Sequence, residues 1–243
     1  MLRAVLFDAV GTLFEVREAV GETYARAAAT HGVVLPAWRI DDAFRRVLGR
    51  AEPMVFPDVP EAEIPAREKR WWRATVRATF LAADSTSLAR FDDFDALFET
   101  LWQHYASADA WQLRPGARDA VSRIARSGFG TGVVSNFDHR LDDVLEGLGI
   151  AHEFSVVSIP SRTRLAKPDP GVFQFALAQL GARADEAAYV GHDPAIDARA
   201  ARAAGLHYLD VDEPAGDAPD PNAHGPGLAT LPARIAALAK LVS

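Results

Sequence analysis

Residues 2–14 read LRAVLFDAVGTLF. Residues 3–7 form a short, nearly continuous apolar run, the pattern of a strand buried on both faces. The run ends in Asp8, and a small loop, Ala9-Val10-Gly11, leads to Thr12. In an open parallel sheet, ligands bind beyond the carboxyl ends of the strands, so Asp8 stands where chemistry is done. Two places on is Val10, which has no group able to carry a proton.

Outward from this stretch, alternation decides the fold class. PGARDAVSRIARSG (115–128) reads as a helix opened by Pro115 and closed by Gly128. TGVVSN (131–136) is a strand ending in polar residues, LDDVLEGLG (141–149) a helix and FSVVSI (154–159) a short strand. PDPGVFQFALAQLG (168–181) is a helix, AAYVG (187–191) a strand, IDARAARAAG (196–205) a helix and HYLDV (207–211) a last strand. EPAGDAPDPNAHGPG (213–227) is rich in Pro, Gly and Asp and reads as an exposed loop before a closing helix at 231–242.

The middle of the chain differs. Helical patterns fall at 17–32, 40–50, 64–82 and 92–107, the first with Val20, Tyr24, Ala27 and Ala28 on one face. The stretch AEPMVFPDVPEAEIP (51–65) carries four prolines and reads as an irregular connection. No strong strand pattern lies between 15 and 107. The chain is therefore expected to be α/β, a Rossmann-like three-layer core with a parallel sheet and helices on both faces, built from 1–14 and 108–243. An all-helical insertion occupies 15–107. The glycine-rich dinucleotide fingerprint is missing.

Composition narrows the function. The 243 residues are 49% hydrophobic and 24% charged, with a formal net charge of -7, which suits a folded protein with ample core. That acidic balance, without a Lys/Arg stripe, argues against a nucleic-acid partner. With no cysteine, disulfides, thiolate catalysis and Cys-ligated zinc are excluded. No apolar run reaches the length of a membrane span, and no leader pattern precedes the first strand, so a cytoplasmic protein with no membrane partner is expected. Nothing in the sequence sets the oligomeric state.

Polar residues gather at the expected strand ends. They are Asp8 and Thr12, then Ser135 and Asn136, then Lys167 in RLAKPDP, and finally His192, Asp193 and Asp197 in VGHDPAID. Singly, each has an ordinary structural reading as a turn former, a helix cap or a solvated lysine. Jointly, they describe a site. A carboxylate can attack phosphorus or carbon and form a covalent intermediate that water releases. A lysine beside it keeps it ionised. Hydroxyl and amide groups with loop N–H groups hold a phosphate or carboxylate. Asp8 and Asp193 with backbone oxygens make a hard site suited to Mg²⁺.

These residues, in this order, resemble the haloacid dehalogenase-like (HAD) hydrolase superfamily. FDAVGTL (7–13), VVSN (133–136), LAKPDP (165–170) and YVGHDPAID (189–197) look like its four motifs. The insertion at 15–107 looks like the helical cap of members that carry it after the first motif. The resemblance implies Asp8 as nucleophile and Lys167 as the residue that orients and neutralises it. It implies Thr12, Ser135 and Asn136 as substrate-binding groups. Mg²⁺ would be held by Asp8, the backbone carbonyl of Val10, and Asp193 with Asp197. A small phosphoester is the implied substrate, and the cap would close over it.

Three departures from the pattern are visible. Phosphatases of the family usually carry a general acid/base Asp where Val10 stands, and often a first Asp where His192 stands. Arg162 and Arg164 replace the acidic residue and glycine that often precede the motif lysine. A metal-independent 2-haloacid dehalogenase is the alternative, although its members have Tyr at the Val10 position, and only Arg45 or Arg46 offers the early cap arginine. A non-catalytic HAD-fold binding protein is the other. Trp71 and Trp72 read as packing within the insertion, and the basic run Arg67–Arg77 as a solvated helix face. His104, His139, His152, His207 and His224 show no ligand spacing.

Overall fold

The computed structural model describes residues 1–212 and 227–242. In chain order its elements are β1 (Ala4–Phe7), β2 (Phe14–Val16), α1 (Val20–Thr30), α2 (Ala37–Leu48), α3 (Ile64–Ala83), α4 (Phe94–Ala106), β3 (Trp111–Leu113) and α5 (Ala117–Arg126). They continue with β4 (Gly130–Val134), α6 (Leu141–Gly147), β5 (Val156–Ser158), α7 (Pro160–Thr163), α8 (Val172–Leu180), β6 (Ala187–Gly191), α9 (Arg199–Ala204), β7 (His207–Asp210) and α10 (Gly227–Leu241). The expected loop at 213–226, with His224, lies outside the described residues. The closing helix starts at Gly227 rather than 231 and keeps Pro232 inside it.

Two compact units emerge, Met1–Glu15 with Leu113–Ser243, and Val16–Gln112. The first is an α/β unit. Its five-stranded sheet has the order β5-β4-β1-β6-β7, with β1 at the centre. Every neighbouring pair is parallel, Ala4 standing opposite Gly130 on one side and Ala187 on the other. Parallel neighbours need crossovers, and the intervening segments supply helices. Leu6 and Tyr189 on one face pack with Val172, Phe173 and Ala176 of α8 and with Ala200 and Ala201 of α9. Val5 and Phe7, which point the other way, are equally buried, so both faces of the central strand are covered. This is why residues 4–7 read as an unbroken apolar run and not as an alternating one.

The second unit is helical, α1 to α4 with short 3₁₀ turns. Its apolar stripes meet in one core around Tyr24, Ile40, Val76, Phe80, Leu97 and Leu101, with the Tyr24 and Phe80 rings stacked 5.9 Å apart. Asp93 caps α4 by accepting from the Asp95 and Ala96 amides. Trp72 packs against this core, and the Trp71 ring stands edge-on to that of Trp72. In the basic run, Lys69 pairs with Glu99 and Arg73 with Asp95. Arg45 and Arg46 pair with Asp41 and Asp42 one turn earlier. Among the described residues no helix is long and apolar enough to cross a membrane.

Candidate active site

Three adjacent strands, β4, β1 and β6, bring Ser135, Asp8 and His192 to their carboxyl ends, and Lys167 comes from the loop between α7 and α8. Asp8 extends the β1 ladder, its amide donating to the Val190 carbonyl at 2.9 Å. The chain then folds into a tight loop in which the amides of Thr12, Leu13 and Phe14 all donate to the Ala9 carbonyl. Gly11 lies at φ +82° in that loop, and a Cβ there would sit 2.5 Å from the His192 ring. Only glycine meets both conditions. Arg114 ties the loop down by donating to the Gly11 carbonyl and pairing with Asp212.

Lys167 is the hub. Its ammonium has three N–H donors, and three acceptors stand 2.7 Å away: Asp8 Oδ1, Asp197 Oδ1 and the Tyr189 hydroxyl. Lys167, Asp8 and Asp197 are 6%, 5% and 1% exposed. Burial alone would discharge these groups, but they are buried together. Burial works to raise the Asp8 carboxyl, yet the Lys167 charge and the His192 and Lys167 hydrogen bonds prevail and lower it from 3.8 to about 2. Burial likewise works against the Lys167 ammonium, and the two carboxylates outweigh it and hold its pKa above the ordinary 10.5. The nucleophile candidate is an anion under ordinary conditions.

The other edge of Asp8 carries Oδ2. Thr12 Oγ1 donates to it at 3.3 Å, and His192 Nδ1 lies 3.2 Å from it and 3.7 Å from Asp197 Oδ2. The hydrogen bond to Asp8 raises the His192 pKa above 6.5 against the opposing effect of burial. Asp197 reaches the site because Gly191 has no side chain, a Cβ there falling 2.6 Å from its carboxyl group. Its Oδ2 accepts the His192 and Asp193 amides, both at 3.1 Å.

The structure thus brings Asp8, Thr12, Lys167 and Asp197 together and separates two other candidates from the roles given them above. Asp193 turns away: its Oδ1 accepts the Ala195 and Ile196 amides and caps the π-helical turn that follows. Asn136 grips the backbone of Lys167, its Nδ2 donating to the Lys167 carbonyl at 2.9 Å and its Oδ1 accepting the Lys167 amide at 2.7 Å. Its amide orients the lysine and is not offered to a ligand. Ser135 is buried at the end of β4 with its amide on the Ser158 carbonyl. Val10 sits half-buried in the loop beside Asp8. Arg162 is engaged by Asp142 and the Val157 carbonyl.

Tyr189 is the functional residue that sequence reasoning missed. As the middle of an apolar strand it reads as core, yet its hydroxyl accepts from Lys167 and donates to the Val134 carbonyl at 2.9 Å. Burial pushes its pKa well up, so it remains a neutral phenol. Tyr189→Phe leaves a buried ammonium N–H without its acceptor and is expected to destabilise the fold by about 1–3 kcal/mol. Urea unfolding of the two proteins checks this.

Asp8, His192 and Asp197 each offer a donor atom within 4.8 Å of the others. Two carboxylates and an imidazole are a donor set that fits a divalent cation, and the Mg²⁺ expected above would find two of its four proposed ligands here, with Val10 adjacent.

Residues 2–205 match the haloacid dehalogenase-like hydrolase family. Haloacid dehalogenase-like hydrolase domain-containing protein 3 of Mus musculus is 32% identical over 209 residues, covering 85% of this chain and 80% of that protein. The phosphoserine phosphatase of Thermus thermophilus is 37% identical over 103 residues, 42% of this chain and 41% of that one. In fold, the chain is similar to the L-2-haloacid dehalogenase of Xanthobacter autotrophicus, with a TM-score of 0.66 at 20% identity over 97% of this chain and 99% of the other. A HAD phosphatase from Thermococcus onnurineus gives 0.61 at 19% identity over 96% and 98%. With this match across most of its length and the motif residues gathered around Lys167, the chain belongs to the haloacid dehalogenase-like hydrolases.

Proposed function

We propose that the chain hydrolyses a small phosphate monoester through an aspartyl-phosphate on Asp8, with a divalent cation at the same site. The observation that carries this reading is the second carboxylate. Asp197 and His192 stand beside Asp8 as a donor set for a cation, and a phosphoryl group, unlike a carbon centre losing halide, brings charge that a cation must neutralise. The partial match to a phosphoserine phosphatase points the same way.

In this reading Oδ1 of Asp8, held by Lys167, attacks phosphorus, while Oδ2 faces the cation donors. The P–O bond to the substrate alcohol breaks as the Asp8–phosphorus bond forms. Water then attacks the acyl phosphate, frees inorganic phosphate and restores the carboxylate. Lys167 keeps Asp8 ionised before attack and balances the Asp197 charge throughout. Thr12 Oγ1 binds a phosphoryl oxygen. A bound cation would supply further positive charge at those oxygens; Mg²⁺ is the ion that the family resemblance implies. The helical unit serves as the cap that admits and selects the substrate.

Val10 is the weak point of this machine, since no carboxyl at that position can protonate the departing alkoxide. Substrates with good leaving groups are favoured. Val10→Asp is expected to raise kcat on an alkyl phosphate by about 10²-fold, the lower end of a general acid/base contribution. An unchanged kcat in a folded, cation-binding variant would remove this account of Val10.

Val10 also favours a second reading, carbon–halogen displacement by Asp8, which needs no leaving-group protonation. Phosphate release from an aryl phosphate, with and without chelator, is compared with halide release from a 2-chloroacid. Cation-dependent phosphate release supports the phosphatase, and chelator-indifferent halide release supports the dehalogenase. Silence in both, with cation still bound, supports a binding protein.

A further inference from the structure

We propose that His192 makes this a mixed nitrogen–oxygen cation site, one that takes a borderline transition ion of the Co²⁺ class in preference to Mg²⁺. The inference deepens the reading above, because it names the ion for the same site.

The position of the ring is built in. His192 follows β6 directly, and its Nε2, Cε1 and Cδ2 atoms occupy the space that a side chain on Gly11 would take, 2.5–2.8 Å from the missing Cβ. Seated there, Nδ1 faces inward, 3.2 Å from Asp8 Oδ2, 3.3 Å from Thr12 Oγ1 and 3.7 Å from Asp197 Oδ2. Adjacent ligands around a cation bound at about 2.0–2.2 Å lie roughly 3–3.5 Å apart. The imidazole nitrogen and Asp8 Oδ2 therefore stand at the spacing of neighbours in one coordination shell.

The oxygens are less available than the sequence suggests. Lys167 takes Oδ1 of both Asp8 and Asp197. Asp197 Oδ2 is already shared between two backbone amides, and Asp193 is committed to its own helical turn. Mg²⁺ demands oxygen donors in near-octahedral array and sheds water reluctantly. Among the side chains here it finds two carboxylate oxygens that already accept hydrogen bonds, and a nitrogen. Imidazole suits later transition ions far better. His192 is thus the donor that separates the two classes of ion at this site.

The test uses the intact chain with Co²⁺ and Mg²⁺ alone as probes, in wild type, His192→Asp and His192→Ala. The side chain is 39% exposed, so these replacements are tolerated by the fold, and circular dichroism checks that they are. Calorimetric titration gives the ratio of Co²⁺ to Mg²⁺ affinity, and the Co²⁺ form is read directly by its visible absorption and by the shifted, exchangeable imidazole N–H resonance. We expect the wild type to show that resonance, His192→Asp to lose it, and the affinity ratio to fall by about tenfold or more in His192→Asp. His192→Ala is expected to weaken Co²⁺ more than Mg²⁺. A Co²⁺ complex without the nitrogen signal, an unchanged ratio, or no cation bound to the wild type overturns the inference. Phosphate release is followed in parallel. Nitrogen ligation without phosphate release would sink the phosphatase reading and leave the ion assignment standing. Cation-dependent phosphate release without the nitrogen signal would do the reverse.

Discussion

Asp8→Asn is expected to lower kcat on an aryl phosphate by at least about 10⁴-fold, the scale seen when a covalent nucleophile is removed. The amide is nearly isosteric but its nitrogen and oxygen cannot form the acyl phosphate. Lys167 keeps Asp197 Oδ1 and the Tyr189 hydroxyl as acceptors, so the variant retains its fold. Rapid quenching of the wild type during turnover, followed by peptide mass analysis, is expected to find a phosphoryl group on the peptide that contains Asp8. Activity within tenfold of wild type in Asp8→Asn, or label on another residue, would show that the nucleophile lies elsewhere.

The second large effect is on stability. Lys167→Met strips two buried carboxylates of their shared ammonium, and breaking a buried ion pair in this way costs about 3–5 kcal/mol. The wild-type pH profile has two limbs with opposite signs. The Asp8 carboxyl is lowered on folding from 3.8 to about 2. Its contribution is present above the unfolded value and is lost as pH falls through that window. The Lys167 ammonium is raised above 10.5. Its contribution is complete below 10.5 and is lost as pH rises beyond it. In Lys167→Met the carboxylates have burial without compensation, so the variant should gain on the wild type as pH falls, because protonation relieves it. Guanidinium unfolding at acid, neutral and strongly alkaline pH measures both limbs. An equal loss of stability at every pH would mean that the lysine acts through packing of its stem and not through its charge.

Much of this was readable in advance, for identifiable reasons. A strand buried on both faces is apolar at every position, so β1, β4 and β6 stand out, and an ionisable group directly after one has few reasons to be there. That made Asp8 legible. Lys167 was legible only in company, since a lysine before proline is ordinary by itself. Asp193 misled because two signals coincide in DPAID: a carboxylate near a strand end, and an Asp-Pro pair that opens a helical turn. The backbone amides claimed the carboxylate, and Asp197, one turn on, took the inward place. Asn136 misled similarly, its amide being used on the Lys167 backbone across 31 residues of sequence. Tyr189 could not be read at all, because strand periodicity says which way a side chain points but not that a lysine waits at the far end of its ring. The two short strands at Phe14–Val16 and Trp111–Leu113 escaped because each is three residues with a polar residue at its centre, whereas the equally short β5 stands in the longer β-branched run FSVVSI.

The sheet order has a consequence for how the chain is made. β1 leaves the ribosome well before its partners, Gly130–Val134 and Ala187–Gly191. Until those segments exist, an apolar strand with two open edges must wait. Meanwhile Val16–Gln112 is contiguous and carries its own core, so it can fold while the strand ahead of it is unpaired. Asp8 is therefore translated before the rest of the candidate site and is among the last to reach its folded surroundings, because the loop that carries Asp197 follows β6. Long-range parallel pairing of this kind is slow and leaves edges exposed. A nascent chain halted before Ala187 would hold a finished helical unit and an Asp8 on a strand with one edge still open and Asp197 not yet made.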